Sequence, residues 1–437
     1  MKPDANQTLV LEKAVYGGDC LANSGGKAVF VPLTLPGETV AAHITESKRS
    51  FSKAEVEAVI GSSADRVAPG CPHFGTCGGC HYQHAAYSAQ LAIKLEILRE
   101  TLTRAGVEFA AEIGCISGPE WEYRNRIRLA LTSDDAGQVK VNYRSRRSHD
   151  LIPIGECPIA SPILFDVALR VAAWLTANDD PAQVSELELF TNHDQSQLLL
   201  TLFSESNGIP PASNLQDWLE RLRAGLPLQV TGLRLQLSDG SLTPQILATS
   251  GKTSLTYAAA GFDYQVDHGA FFQVNRWLVN DLAASVLNGL PEGQSAWDLY
   301  AGVGLFARQL IHRFTEVRAV ESASASLDAL NRNLTGTSGQ AVAATTLDFL
   351  RRNRQEREPR PDLIVADPPR AGLGDETTTL LNAIGAPDLV YVSCDPTTLA
   401  RDLRALTQER YRLETITFVD MFPQTFHLET VVRLRRS

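Results

Sequence analysis

From Ser295 to the C-terminus the sequence repeats one pattern, in which a buried strand is followed by a tight turn and a helix. A chain with this alternation folds into a parallel sheet that helices cover on both faces. The first repeat ends in the turn Ala-Gly-Val-Gly-Leu at 301–305, and open α/β sheets bind their ligands at such a turn. The third glycine of the dinucleotide fingerprint is missing, so the pattern predicts a Rossmann-like domain and disfavours NAD.

Acids follow two further strands of this predicted sheet. The second strand, at 316–321, ends in Glu321, a carboxylate suited to bind a ribose diol. A later strand runs into Asp-Pro-Pro-Arg at 367–370, where two rigid prolines can line a pocket for a planar base. Methyltransferases that act on exocyclic amino groups also carry Asp-Pro-Pro, but they continue with an aromatic residue where this chain has Arg370.

One cysteine stands where a thiol can become a nucleophile. Cys394 follows an apolar strand and precedes a helix that Pro396 opens. Because the unpaired N–H groups of a first helical turn stabilise a thiolate, this position predicts a lowered pKa for Cys394. The alternative is a small packing residue between sheet and helix, since cysteine is among the most buried residue types.

The last two strands, at 415–421 and 427–433, are expected to form an antiparallel pair. Glu429 lies inside the second strand, among apolar residues. A carboxylate in such a strand needs a charge partner or a chemical role.

The N-terminal residues predict a small barrel. Short strands punctuated by glycine occupy residues 8–61, and five strands in about fifty residues suit an OB-type barrel. The stretch resembles the TRAM domain, an RNA-binding accessory barrel, through Gly17-Gly18, Phe-Val-Pro at 30–32 and Leu-Pro-Gly-Glu at 35–38. The predicted barrel domain covers residues 1–62.

A glycine-rich loop after the barrel holds three cysteines within ten residues, Cys71, Cys77 and Cys80. Such a loop has too few apolar residues to hold itself together, so a bound group is expected. With Cys157 as a fourth ligand, the thiolates predict a [4Fe-4S] cluster. Zinc with four cysteines is the rival, and a purely structural loop is the third interpretation. Cys20 and Cys115 have no other cysteine close by in the sequence and are interpreted as packing residues.

Residues 63–270 are expected to form a central α+β domain that includes the cysteine loop, and residues 271–437 the Rossmann-like domain. Apolar periodicity predicts one helix at 87–105 and others around 163–177 and 215–224, among strand-like runs. Residues 121–150 are rich in arginine and aromatic residues, which suits either contact with RNA or a solvated strand pair.

Composition limits the class of protein. The chain has 437 residues and a formal net charge of −10, which argues weakly against nonspecific coating of nucleic acid. No apolar run reaches the length of a bilayer span, and the first residues lack the apolar core of a secretory signal. We therefore expect a cytoplasmic protein with no membrane association, acting as a monomer.

Five motifs together resemble the RNA uracil-5-methyltransferase family, and in particular its TRAM-containing, iron–sulfur members that modify 23S ribosomal RNA. The motifs lie at 271–275, 298–306, 367–372, 393–402 and 420–432. The resemblance implies S-adenosylmethionine as the cofactor. The implied binding residues are Gln273, Tyr300, Glu321 and Asp367, with Asp348 as a further candidate for adenosine contact.

The resemblance also implies a covalent mechanism. C5 of uracil is a poor nucleophile, and addition of the Cys394 thiolate to C6 makes C5 reactive toward a methyl donor. The acid matching Glu429 then removes the C5 proton, so that the cysteine can leave. The target base must leave its stack to reach the site. A uridine of 23S ribosomal RNA is the favoured substrate, and the T-loop uridine of tRNA is the alternative.

Two residues depart from the family pattern, Ala301 for a frequent cysteine and Gln424 for a frequent histidine. RNA cytosine-5-methylation is disfavoured, because it commonly uses a second cysteine and Cys394 is the only cysteine after Cys157. A non-enzymatic RNA-binding module on an inactive scaffold is disfavoured by the intact Cys394, Glu429 and Gln273.

Overall fold

The computed structural model describes residues 6–205, 212–238, 244–356 and 359–437. The chain packs into two compact units. The first contains Met1–Arg104, Tyr143–Ile152 and Phe422–Leu428, and the second contains Ala105–Asn142, Pro153–Met421 and Glu429–Ser437. The division into three domains with boundaries near residues 62 and 270 stays a prediction.

Five strands of the first unit close into a barrel, in the order β1-β2-β3-β5-β4. Alternate side chains such as Leu9, Leu11 and Val29 fill its interior. Cys20 is 2% exposed there, so its interpretation as a packing residue is confirmed. The OB-type barrel is confirmed as well. Its strands are β1 (Asn6–Ala14), β2 (Asp19–Ser24), β3 (Lys27–Pro32), β4 (Thr39–Ser47) and β5 (Phe51–Gly61).

The predicted amphipathic helix of the first unit is present as α1 (Tyr87–Arg104). It buries an apolar stripe that includes Ile93 and Ile97, and both residues belong to the same hydrophobic core as the barrel interior. A helix of this length with one apolar face is stabilised mainly by that burial.

The segment Phe422–Leu428 is held by polar contacts with α1. Gln424, with φ +67°, lies in the left-handed region. Its backbone N–H donates to Oε1 of Gln90 at 3.0 Å, and Nε2 of Gln90 donates to Oε1 of Gln424 at 3.0 Å. The buried Lys94 donates to the carbonyl of Phe422 at 2.9 Å. Gln424, which replaces the frequent histidine of the family, thus forms two hydrogen bonds with the side chain of Gln90.

The first sheet of the second unit has seven strands in the order β13-β12-β11-β10-β7-β8-β9, and a separate two-stranded sheet pairs β14 with β15. With the helices α2 and α3, these sheets confirm the predicted α+β region. In chain order, the elements from residue 114 to residue 287 are β6 (Gly114–Ile116), β7 (Arg126–Ser133), β8 (Val139–Arg144), β9 (Leu151–Pro153), α2 (Pro162–Ala177), β10 (Val184–Thr191), β11 (Leu198–Ser204), α3 (Ala212–Ala224), β12 (Val230–Leu237), β13 (Ile246–Gly251), β14 (Ser254–Ala259), β15 (Phe262–Asp267) and α4 (Val279–Leu287). Strand β6 belongs to the eight-stranded sheet described below.

The arginine-rich stretch at 121–150 forms the antiparallel pair β7–β8. Arginines of β7 are matched by acids of the neighbouring strand β10. Arg126 pairs with Glu188 at 3.1 Å, and Arg128 pairs with Glu186. These contacts favour the strand-pair interpretation of β7 over phosphate binding by its arginines.

The second large sheet has eight strands in the order β18-β17-β16-β19-β20-β22-β21-β6. The first five in that order are parallel, and β22 runs antiparallel to both β20 and β21. This arrangement confirms the predicted Rossmann-like sheet and its antiparallel end. Its elements are β16 (Gly293–Leu299), α5 (Ala307–Leu310), β17 (Phe314–Glu321), α6 (Ser324–Leu334), β18 (Gly339–Ala343), α7 (Thr346–Glu356), β19 (Leu363–Ala366), α8 (Gly374–Ile384), β20 (Asp388–Ser393), α9 (Pro396–Glu409), β21 (Tyr411–Val419) and β22 (Glu429–Arg436).

None of the helices within the described ranges combines the length and the apolar character that crossing a membrane requires.

Candidate active site

The functional side chains of the second unit lie at one edge of the eight-stranded sheet. Parallel strands end at the same edge, so the residues that follow β16, β17, β19 and β20 meet there. Because β22 is antiparallel to β20, it begins at the edge where β20 ends, and Ser393 pairs with Thr430. Glu429 and Cys394 come from positions immediately next to that pair. The sheet therefore brings together residues that are widely separated along the chain.

Cys394 lies between the end of β20 and the start of α9, as predicted. The next residue, Asp395, caps the helix, and its Oδ1 accepts the N–H groups of Thr397 at 2.8 Å and Thr398 at 3.0 Å. The carboxylate of Asp395 therefore accepts hydrogen bonds from N–H groups that were expected to stabilise a thiolate.

The expected lowering of the Cys394 pKa is wrong for the structure as it stands. Burial raises the pKa of the thiol to about 12, and the negative charges of Glu429 and Asp367 act in the same direction. The positive charge of Arg370 opposes them. Desolvation disfavours the thiolate, and nearby carboxylates disfavour it further. In this state the thiol keeps its proton at neutral pH.

Two acids, one buried and one partly buried, lie close enough to the thiol for their charges to raise its pKa. Glu429 is 4% exposed, and burial together with the charge of Asp367 raises its pKa well above the usual range. Burial raises the pKa of Asp367 to about 7. Two acids in one low-dielectric site do not both ionise readily, so the pair tends to share a proton near neutral pH. Such acids are suited to accept and release protons during a reaction.

Gln273 joins this group through its side chain, since Nε2 donates to Oδ2 of Asp367 at 3.3 Å. The backbone carbonyl of Gln273 accepts a hydrogen bond from Nδ2 of Asn125 at 2.8 Å. Asn125 is fully buried and also donates to the hydroxyl of Tyr257 at 3.1 Å. Asn125 is a residue that the motifs did not reveal, because its role depends on a contact with a distant segment.

The turn after β16 lies beside the same edge. Tyr300 has φ +62°, which is uncommon for a residue with a side chain, and burial raises the pKa of its hydroxyl. Gly302 has φ +57°, and a methyl group there would meet no atom within 4 Å. The turn therefore leaves open space beside the backbone of Gly302, which a ligand can occupy.

Glu321 closes the turn from the end of β17. Its Oε2 accepts the N–H of Gly302 at 2.9 Å, and its Oε1 accepts the N–H groups of Ser322 at 2.6 Å and Ala323 at 2.7 Å. A carboxylate offers about four acceptor positions, so one remains for a further donor such as a ribose hydroxyl.

Asp298 is a second residue that the motifs did not single out. It is completely buried at the end of β16, and burial raises its pKa to about 8. Its Oδ2 accepts the N–H of Ala307 at 2.8 Å, whereas Oδ1 has no hydrogen-bond partner among the described residues. An acid inside an apolar strand was the available sequence signal, the same one that pointed to Glu429.

Asp348 lies in the first turn of α7, where Oδ2 accepts from Oγ1 of Thr345 at 2.8 Å. It is exposed and forms an ion pair with Arg351 at 3.5 Å. Its contact with an adenosine stays a prediction.

The cysteine loop is ordered by its own backbone, with the N–H of Cys77 donating to the carbonyl of His73 at 2.8 Å. Burial raises the pKa of Cys77, and the charge of Cys71 adds to that effect. Among the described residues, no group of three or more histidine, cysteine or acidic side chains is placed to hold a metal ion. Cys80 lies in the same loop, and Cys157 belongs to the second unit. The binding of a metal cluster by these four cysteines stays a prediction. Cys115 is exposed, so its interpretation as a packing residue is wrong.

Comparison with protein families gives two matches along the chain. Residues 86–437 match the family tRNA (uracil-5-)-methyltransferase, and residues 8–56 match the TRAM domain. Together they cover most of the barrel and all the residues at the edge of the eight-stranded sheet.

Several relatives align over nearly the full length. An uncharacterized RNA methyltransferase of Nitratidesulfovibrio vulgaris is 32% identical, over 96% of this chain and 93% of the relative. The 23S rRNA (uracil(1939)-C(5))-methyltransferases of Halomonas elongata and Pseudomonas fluorescens are 31% and 33% identical, each over 99% of this chain and over 90% and 94% of the relative. A solved structure of the Pyrococcus abyssi tRNA (uracil-54, C5)-methyltransferase has a TM-score of 0.75 at 23% identity, covering 98% of this chain and 99% of that one. The last likeness establishes a shared fold.

Proposed function

The chain belongs to the tRNA (uracil-5-)-methyltransferase family, and on that premise we propose that it methylates C5 of one uridine in 23S ribosomal RNA. It is an S-adenosylmethionine-dependent RNA uracil-5-methyltransferase. The observation that carries the proposal is that the sheet places the thiol of Cys394 next to Glu429, through the pairing of Ser393 with Thr430, and near the partly buried Asp367. The named relatives from Halomonas and Pseudomonas support ribosomal RNA, because they align with almost the entire chain, barrel included.

The residues present fit the cofactor. Bound S-adenosylmethionine supplies an electrophilic methyl group. Glu321 would hold the ribose through its remaining acceptor position, and the open space at Gly302 admits a ligand close to the backbone. Gln273 and Tyr300 would complete the binding site with Asp367. The support for this set is the position of Tyr300, Glu321 and Asp367 at the ends of neighbouring strands, together with the hydrogen bond from Gln273 to Asp367.

In the proposed reaction the Cys394 thiolate adds to C6 of uracil, and the electron pair moves through the ring to make C5 nucleophilic. After C5 has gained its methyl group, Glu429 takes the C5 proton. The C6–S bond then breaks, and the electron pair returns to sulfur as the ring regains its conjugation. Atoms and electrons balance without an oxidant or a reductant, so the chemistry needs a base and a nucleophile.

The raised pKa values of Cys394 and the two acids indicate that loss of the thiol proton comes first. With a pKa of about 12, the Cys394 thiol must lose its proton as the substrates bind. The acids beside it are stronger bases than exposed carboxylates, because burial raises the pKa of Asp367 to about 7 and that of Glu429 as well. Arg370 favours the thiolate, since its charge lowers the pKa of Cys394. Asp367 would also steady the polar edge of the uracil.

The T-loop uridine of tRNA is the second candidate substrate. It is favoured by the matching family, whose name refers to tRNA, and by the structural likeness to the tRNA (uracil-54, C5)-methyltransferase of Pyrococcus abyssi.

Tritium release from C5-labelled uridine tests both candidates. We expect anaerobically purified enzyme with S-adenosylmethionine to release tritium from unmodified 23S ribosomal RNA and to leave tRNA unreacted, because C5 loses its proton only when it is methylated. Release from tRNA alone would transfer the assignment to the T loop. Release from neither RNA by folded enzyme would contradict the proposed function.

We further propose that Cys71, Cys77, Cys80 and Cys157 bind a [4Fe-4S] cluster. The support is the donor set, since three thiols within ten residues and a fourth elsewhere match the ligands of such a cluster. Methyl transfer involves no electron transfer. The cluster would therefore have a structural or RNA-positioning role.

Anaerobic purification tests this ligand set. We expect a brown protein with iron and sulfide in equal amounts, and loss of the colour in Cys77→Ser, because removal of one thiolate weakens the cluster. Cys115→Ser is the matched control and should keep the colour. A colourless protein with stoichiometric zinc would contradict the proposal.

For its setting in the cell, we propose that the enzyme works in the cytoplasm as a monomer, where its RNA substrate is processed. Size-exclusion chromatography with light scattering measures the oligomeric state directly.

A further inference from the structure

Phe271 presents a large aromatic side chain to solvent at the border of the active site. It is 57% exposed, whereas the next residue, Phe272, is 2% exposed. The ring of Phe272 packs against Tyr257 and Tyr264, with ring centroids 4.4 and 5.9 Å away. A single exposed apolar residue is common on protein surfaces, so exposure alone assigns no role to Phe271, and its location decides.

That location is close to the reacting groups. Gln273, two residues further along, donates to Asp367 at 3.3 Å. Two residues span at most about 7 Å, so the backbone of Phe271 lies within that distance of the backbone of Gln273. Phe272 packs into the core, whereas more than half of the Phe271 side chain is exposed, so its ring is available to a ligand that binds near the site.

The backbone that carries Phe271 is held on both sides. Nη2 of Arg126 donates to the carbonyl of Ala270 at 2.7 Å, and Nδ2 of Asn125 donates to the carbonyl of Gln273 at 2.8 Å. Arg126 is itself paired with Glu188. Two adjacent residues at the start of β7 thus clamp the segment before and after the exposed ring. An aromatic ring on a rigid backbone loses little conformational freedom on contact with a ligand.

We propose that Phe271 is a stacking platform for the nucleobase next to the target uridine. The inference rests on the proposed function, which requires the target base to leave its stack. Its neighbour then loses a stacking partner, and an exposed aromatic face can replace it, independently of which base it is. Arg370, whose charge acts on Cys394, adds positive charge at the same site, where the RNA backbone is negative.

Steady-state kinetics of four variants test this role. Loss of one base–aromatic stack corresponds to roughly a 5- to 100-fold loss of affinity. We expect Phe271→Ala to raise the KM for RNA by that factor, with an unchanged affinity for S-adenosylmethionine measured by calorimetry. Phe271→Trp should restore the wild-type KM, whereas Phe271→Leu should not, because leucine keeps the apolar bulk and lacks the aromatic face. Leu228→Ala is the matched control, since Leu228 is 97% exposed and its truncation should leave the KM for RNA unchanged.

Each outcome separates stacking from its alternatives. A wild-type KM for RNA in Phe271→Ala would overturn the proposal while leaving the proposed function intact. Full rescue by Phe271→Leu would show that only apolar bulk matters, and it would also overturn stacking. Equal losses of affinity for RNA and for S-adenosylmethionine would assign Phe271 a purely structural role. If wild-type enzyme released tritium from neither RNA, the proposed function itself would fail before Phe271 is considered.

Discussion

Alanine in place of Cys394 is expected to abolish methyl transfer, with a rate loss of about four orders of magnitude or more. Without the thiolate, C5 of uracil stays a poor nucleophile, and no other described side chain of the site offers an equivalent atom. The acids Glu429 and Asp367 remain in place and supply proton acceptors without a nucleophile. The measurement is tritium release under single-turnover conditions with excess enzyme.

Two controls make the Cys394→Ala result specific. Cys115→Ala removes an exposed cysteine of the same unit and should keep full activity. Thermal unfolding of Cys394→Ala should stay close to that of the wild type, because the thiol is neutral in the structure and only partly buried. Full methyl transfer by a folded Cys394→Ala enzyme would refute the covalent mechanism.

The sequence was most informative where local pattern and fold agree. The glycine turn at 301–305, the strand leading to Glu321 and the helix opened by Pro396 all occur as predicted, because each depends on residues near one another in the chain. The barrel follows for the same reason, since alternating side chains and turn glycines specify short antiparallel strands.

Features of the site that depend on distant segments could not be predicted from local pattern. The helix position of Cys394 suggested a lowered pKa, but the burial and the acids that raise it come from separate strands. The clamp of Asn125 on Gln273 joins residues 148 positions apart. Local motifs contain no signal for such contacts. The cysteine loop is the converse case, because its spacing gives a clear local pattern whereas its binding of a cluster stays a prediction.

The second large effect is expected for Glu429→Gln, which should accumulate a covalent complex between enzyme and methylated RNA. Glutamine keeps the size and the hydrogen-bonding edge of the side chain but cannot accept the C5 proton. The nucleophile is unchanged, so the C6–S bond should form and the methyl group should be transferred, while elimination stalls. The complex should survive denaturing electrophoresis, as a band that requires both RNA and S-adenosylmethionine.

Protonation of Glu429 should imitate this substitution in the wild type. A buried acid with a raised pKa is protonated below that pKa, so release of the product should slow as the pH falls through it. We therefore expect the adduct of the wild-type enzyme to increase at low pH and that of Glu429→Gln to stay at a constant high level. The double variant Cys394→Ala/Glu429→Gln should give no adduct at any pH, because the sulfur atom that forms the bond is absent. Rapid product release by Glu429→Gln would exclude Glu429 as the base and direct attention to Asp367, the other acid that faces the thiol.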